Sequence, residues 1–127
     1  MIAAGVGSRR AVSADEIEEA VHLALCCFSV AASSLEILAT EREKAGTAVY
    51  VEAARRLGLT LIGVSSGDLG HAANRVLTRS ARALEAKGVP SIAEAAALCA
   101  AGANARLLGA RVATARATCA IAVGDTE

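Results

Sequence analysis

Aromatic residues are almost missing from this chain: one tyrosine, one phenylalanine and no tryptophan occur among 127 residues. Without aromatic platforms, recognition of single-stranded nucleic acid by base stacking is not expected. A charge excess is missing too, because 13 basic residues are balanced by 13 acidic ones. A general nucleic-acid binder carries a basic surplus. No apolar run reaches the roughly 18 residues that a membrane-spanning helix needs. The opening MIAAGVGSRR is apolar over too few residues for a signal peptide and has no basic stretch ahead of them. These absences point to a cytoplasmic chain that partners neither nucleic acid nor membrane.

Cysteine is present at 26, 27, 99 and 119, but no CxxC pair occurs and neither His22 nor His71 stands at ligand spacing from any of them. No metal is therefore expected. Cys26 and Cys27 are adjacent on a helix and so point in different directions, and the four thiols read as buried, reduced small hydrophobes. Hydrophobic residues make up 54% of the chain and charged ones 20%, which suits one ordered domain over residues 1–127 with a core of its own.

Short strand-like runs alternate with helical ones. Residues 2–6 are an apolar run that stops at Gly7 and reads as a buried strand. In SADEIEEAVHLALCCF, Ser13 and Glu16 make a capping box, and acids at 15, 16, 18 and 19 sit at the positive end of the dipole. Ile17, Ala20, Val21, Ala24, Leu25 and Phe28 then recur on one helix face. Residues 35–40 form a second strand, TAVYVEAARRLG a helix stopped by Gly58, and residues 59–64 a third strand of the kind covered on both faces. Residues 65–87 read as a broken helix, stronger from Ser80 to Lys87. After Pro90, the only proline, Ser91 and Glu94 make a second capping box, and Gly102 is a stop. The β-branched tail holds two strands, 107–113 and 117–123, too close to be anything but an antiparallel hairpin. The fold class is α/β: a three-layer α/β/α sandwich, its sheet mainly parallel with a C-terminal antiparallel hairpin. Abundant alanine lets helices approach such a sheet closely, and a bias in nucleotide composition explains it equally well.

Ligands of open α/β sheets gather at the carboxyl ends of the parallel strands. Three segments arrive there: a Gly-x-Gly turn with Gly5, Gly7, Ser8, Arg9 and Arg10; Thr40 through Lys44; and Ser65, Ser66, Gly67 and Asp68. Backbone amides, hydroxyls and at least three cations on one rim suit an oxyanion. A dinucleotide is disfavoured because Arg10 stands where the third glycine of GxGxxG belongs, and no Walker loop occurs. No cofactor is expected. Glu94 has a sufficient structural role in its helix cap, and the basic residues of RRL (55–57) and RVLTRSAR (75–82) read as solvated helix faces.

The segments GVGSRR, S..EI..AV, LAT...K, EAARRLGL.L, GVPSIAEAAAL and ATCAIA occur in one order. In that order and spacing they resemble the CobE proteins of cobalamin biosynthesis and the homologous C-terminal domain of CbiG, over nearly the whole chain. The resemblance implies a three-layer α/β/α domain with a role in building the corrin ring. A tetrapyrrole or corrin-pathway intermediate is the partner it implies, with other corrin-pathway enzymes as further partners. Carried over by position are Gly5, Gly7, Arg9, Arg10, Thr40, Lys44 and Glu94. Arg111 keeps the charge of a basic residue that is commonly lysine. Thr47 replaces a frequent acid, and Ser8 stands where relatives often have cysteine, so a thiol nucleophile is not expected there. Three functions follow: binding of a polycarboxylate intermediate; hydrolysis of the lactone of precorrin-5A or cobalt-precorrin-5A, with Lys44 or Glu94 moving the proton; or a non-catalytic interaction domain. Under the first, the ligand-binding residues are Gly5, Gly7, Ser8, Arg9, Arg10, Thr40, Lys44, Ser65, Ser66 and Arg111.

Overall fold

The structure, a computed structural model, describes residues 1–125. Strand β1 (Ile2–Ser8) sends Ala4 and Val6 to one face of the sheet and Ala3 to the other. Strand β6 (Ala117–Asp125) divides in the same way, with Cys119 and Ile121 opposed to Ala120 and Ala122. A sheet apolar on both faces needs a helical layer on each. Helices α1 (Ala14–Cys27) and α3 (Ala48–Leu57) cover one face, and α4 (Ser66–Ala72) and α6 (Ile92–Ala100) cover the other.

The remaining strands are β2 (Ile37–Glu41), β3 (Thr60–Val64), β4 (Ala103–Leu107) and β5 (Val112–Ala113), and α2 (Arg42–Ala45) and α5 (Ala81–Lys87) complete the helices. The sheet order is β3-β2-β1-β6-β4, with β5 also paired to β6. Pairs β1–β2 and β2–β3 are parallel, whereas β1, β4 and β5 each meet β6 antiparallel. Every strand but β6 therefore runs in one direction. The expected three-layer α/β/α sandwich with a terminal hairpin, β5–β6, is what forms.

Several local expectations give way. The run 107–113 is not one strand: β4 ends at Leu107, residues 108–111 form a loop, and β5 starts at Val112. Strand β3 is not covered on both faces. It is the sheet edge, and only Val64 in it is fully buried. Residues 65–87 break as expected, but into α4, a 3-10 turn (Ala73–Arg75) and α5. Of the four thiols only Cys119 is buried; Cys26 and Cys27 are exposed, because the inward face of α1 at that level is Val21, Ala24 and Leu25.

The largest correction concerns Gly5 and Gly7, which lie inside β1 rather than in a turn. Neither has a positive φ. At Gly5 the requirement is proximity: a Cβ there would lie 2.0 Å from the Ala93 carbonyl oxygen and 2.5 Å from the Ala97 nitrogen. Seven successive residues of α6, Ile92 to Leu98, are buried, so this helix runs through the interior against the backbone of β1. Alanine on α6 and glycine on β1 together permit that approach.

Candidate functional site

The parallel strands β1 and β2 end side by side, and β6 begins beside them, since Ser8 pairs with Ala117. Their ends form the floor of a cavity of about 350 Å³. Helix α5, none of whose residues is buried, lies over one side of it, and the β5–β6 hairpin forms the other. The Arg9 N–H donates to the Arg116 carbonyl over 2.9 Å, tying the end of β1 to that hairpin. Six basic side chains line the space: Arg9, Lys44, Arg82, Lys87, Arg111 and Arg116. Glu41 is the one acid among the described residues that line it, and its carboxylate accepts from Lys87 Nζ over 3.0 Å. Between these charges the wall is apolar, with Ile92, Ala83, Ala86, Ala113 and Ala117.

A tight polar cluster sits on the floor. Ser8 Oγ lies 2.6 Å from the Tyr50 hydroxyl and 3.3 Å from Lys44 Nζ, which also donates to the Ser8 carbonyl. Thr40 donates its hydroxyl to the Val6 carbonyl over 2.7 Å, fastening β2 to β1 beneath the cluster. Tyr50 is wholly buried on α3 and reaches the site only through its hydroxyl; burial pushes its phenol pKa above the ordinary value. Burial holds the Lys44 ammonium below its ordinary pKa. The positive charge of Lys87 adds to that effect and Glu41 opposes it.

Glu94 takes no part in lining the cavity. The expected capping box forms only by half. Ser91 Oγ accepts from the Glu94 N–H, but the Glu94 carboxylate does not return to Ser91. Its Oε1 accepts the N–H groups of Leu77 and Thr78 over 2.6 and 2.8 Å, and its Oε2 accepts the Thr78 hydroxyl and the Arg111 N–H over 2.6 and 2.8 Å. Burial alone would raise its pKa, yet these hydrogen bonds hold it below the ordinary carboxylate value. Glu94 thus anchors two segments that frame the site: the approach to α5, and the loop bearing Arg111.

The structure brings together Gly7, Ser8, Arg9, Thr40, Lys44 and Arg111 of the expected binding set. Gly5 faces α6, Arg10 is exposed outside the cavity lining, and Ser65 caps α4 by accepting from the Asp68 N–H. Ser66 borders a second, smaller cavity of about 280 Å³ that shares Glu41, Ala86, Lys87 and Ile92 with the first. Tyr50, Arg82, Lys87, Arg116 and Thr118 are lining or supporting residues that no sequence motif marks. Arg82, read from sequence as part of a solvated face, lines the cavity, whereas Arg56 does lie on the outer surface and joins α3 to α1 through Asp15 and Glu18. Among the described residues no three metal-ligating side chains converge, and no helix is long and apolar enough to cross a membrane.

No curated protein matches the chain at a significant level. Solved structures do. One is CobE, a protein from the cobalamin (vitamin B12) biosynthetic pathway, with 32% identity and a TM-score of 0.92 over 100% of this chain and 92% of that one. Another is cobalamin biosynthesis protein chiG from Agrobacterium tumefaciens str. C58, with 39% identity and a TM-score of 0.78 over 99% and 100%. A cobalamin biosynthesis protein G homolog from Sulfolobus solfataricus shares the fold at 22% identity, TM-score 0.70, with this chain covering 37% of its length. The family model described as cobalamin synthesis G C-terminus matches residues 2–122, and the chain belongs to that family of cobalamin-biosynthesis proteins.

Proposed function

We propose that the chain binds a polycarboxylate precorrin or corrin intermediate in the cavity at the ends of β1 and β2. The observation that carries this reading is the cavity's composition: six basic side chains around an apolar wall, with Glu41, the one acid among the described lining residues, already paired to Lys87. Corrin precursors combine an apolar macrocycle with a rim of acetate and propionate groups, which is the complementary pattern. Arginine forks grip carboxylates two bonds at a time, so Arg9, Arg82 and Arg111 supply orientation as well as charge. A sheltered contact of this type contributes roughly 1.5–3 kcal/mol, and one open to water much less.

An anaerobic titration of the chain against precorrin and cobalt-precorrin intermediates, followed by their visible absorbance, tests the proposal. A saturable spectral change that weakens with added salt supports it. Absence of any change with every intermediate overturns it and favours a non-catalytic interaction domain. Lactone hydrolysis is a second reading, favoured by one observation: Lys44, with its depressed pKa, lies beside a hydroxyl on the cavity floor.

A further inference from the structure

Helix α5 forms one side of the cavity yet is scarcely joined to the rest of the molecule. Val76 and Val89, on either side of it, are buried in the core, whereas no residue from 77 to 88 is buried. The roots of this segment are fixed. The Glu94 carboxylate holds the Leu77 and Thr78 N–H groups, and the Ser80 N–H donates to the Pro90 carbonyl over 3.1 Å, which ties the two ends together. Ser80 caps α5 at its start, and Gly88 closes it with φ 73°. Apart from these caps, among the described residues a single hydrogen bond joins α5 to the rest of the chain. Lys87 Nζ donates to Glu41 Oε1 over 3.0 Å.

Both partners of that bond line the first cavity and also the second, smaller one. The ion pair therefore stands on the boundary the two spaces share. Sites for drug-sized ligands occupy about 300–1,000 Å³, and the first cavity, at about 350 Å³, lies at the bottom of that range. A tetrapyrrole macrocycle with its rim of acetate and propionate groups is larger than a drug-sized molecule. The second cavity offers about 280 Å³ more.

We propose that α5 is a lid, hinged at its fixed roots and latched by the Lys87–Glu41 pair, whose lifting joins the two cavities into one site for the macrocycle. The proposal rests on the binding reading for its ligand and goes beyond it in the route of entry. A loop whose ends are held close and whose middle buries nothing opens locally, without unfolding the domain. Of the two latch residues, the Glu41 side chain is 6% exposed and the Lys87 side chain 45%, so the lid moves and the floor stays. An incoming carboxylate competes with Glu41 for the Lys87 ammonium, and the polyanion thereby releases the latch it has to pass. Lys87 and Arg82, both lining the first cavity, then draw the lid back onto the bound ligand.

Hydrogen–deuterium exchange read by mass spectrometry tests the lid on the ligand-free chain. The amides from Leu84 to Gly88 should exchange faster than those of α6, which is buried from Ile92 to Leu98. Glu41→Gln and Lys87→Ala both remove the latch but change the charge of the cavity in opposite directions. Each should speed α5 exchange about fivefold, the upper end for a half-exposed ion pair, and leave α6 unchanged. Glu85→Gln, on α5 but outside both cavities, should leave the α5 rate as it is. If α5 exchanges as slowly as α6, or if the two latch variants move it in opposite directions or not at all, the lid is overturned. With a corrin intermediate bound, α5 exchange should slow as Arg82 and Lys87 grip the ligand, and a rate that does not slow overturns the closing of the lid. Latch-dependent exchange without binding of any intermediate leaves the lid standing and removes the binding reading. Binding to a chain whose α5 exchanges no faster than α6 does the reverse.

Discussion

Thr78 donates both its hydroxyl and its backbone N–H to the carboxylate of Glu94, over 2.6 and 2.8 Å. The two residues are sixteen positions apart. The contact turns a helix-capping acid into the brace of the segment that leads to α5, and through the Arg111 N–H the same carboxylate braces the opposite wall. A residue that does not itself line the cavity thereby sets the positions of two of its sides.

Glu94→Ala should destabilise the chain by on the order of 3 kcal/mol, because it leaves the Leu77, Thr78 and Arg111 N–H groups without their acceptor. Urea denaturation measures the loss. The pH dependence has a definite sign. The folded-state pKa of Glu94 lies below its ordinary 4.5, so the folded state favours the ionised form. Its contribution is fully present above about pH 4.5 and falls away as pH drops through the lowered folded value. Glu94→Gln should flatten that acid limb of the stability curve, and an unchanged limb would contradict the assignment.

Gly5→Ala and Gly7→Ala should differ sharply. At Gly5 the new methyl would meet the backbone of α6 at 2.0 Å, and backbone cannot swing aside. Gly7's nearest neighbour is the Thr118 hydroxyl at 3.0 Å, the end of a side chain that can rotate. Overpacking costs of about 3 kcal/mol or more are expected at Gly5 and about 1 kcal/mol at Gly7. Paired thermal melts of the two variants distinguish them.

How much of this was legible beforehand depends on the range of the interactions. Ser13 and Glu16 interact three residues apart, and their reciprocal cap forms as the sequence implies. Gly58 ends α3 at φ 70°, a local requirement visible as a glycine after a helical run. Ser91 and Glu94 carry the same local pattern, but the carboxylate is captured by groups that are distant in sequence and close only once α6 is buried. The same holds for GVGSRR: its glycines look like a turn, and only the passage of α6 against β1 explains Gly5. Lys87 and Arg82 sit on a short helix with no buried face, so no periodicity marks which of its residues look inward. Ser8, Lys44 and Tyr50 lie on three elements, and only the topology brings them together.

Arg9→Ala should weaken binding of a polycarboxylate corrin intermediate about tenfold, the loss of one charge-assisted contact from a residue that lines the cavity. Arg10→Ala should leave it nearly unchanged, since Arg10, exposed like Arg9, lies outside the cavity lining. Titration at two salt concentrations checks this, because the Arg9 effect should shrink as salt rises. Equal losses in the two variants would place the ligand on the outer surface of the turn instead.

Lys44 should titrate below the ordinary lysine value, and its neighbours should move it in opposite directions. Burial lowers its pKa most, the Lys87 charge lowers it further, and the Glu41 carboxylate raises it. Glu41→Gln should therefore move the Lys44 titration down, and Lys87→Ala should move it up. The sign matters for stability as well. A lysine whose folded pKa is depressed opposes folding while protonated, so its burden is present at neutral pH and lifts as pH rises through the folded value toward the unfolded one. Lys44→Met should thus cost less stability at neutral pH than the loss of its bonds to Ser8 would suggest. NMR titration of the lysine side-chain methylenes in the three proteins reads the shifts directly. Movement of Lys44 in the same direction in both variants would show that the Glu41–Lys87 pair acts on it by rearranging the cavity wall rather than through its charges.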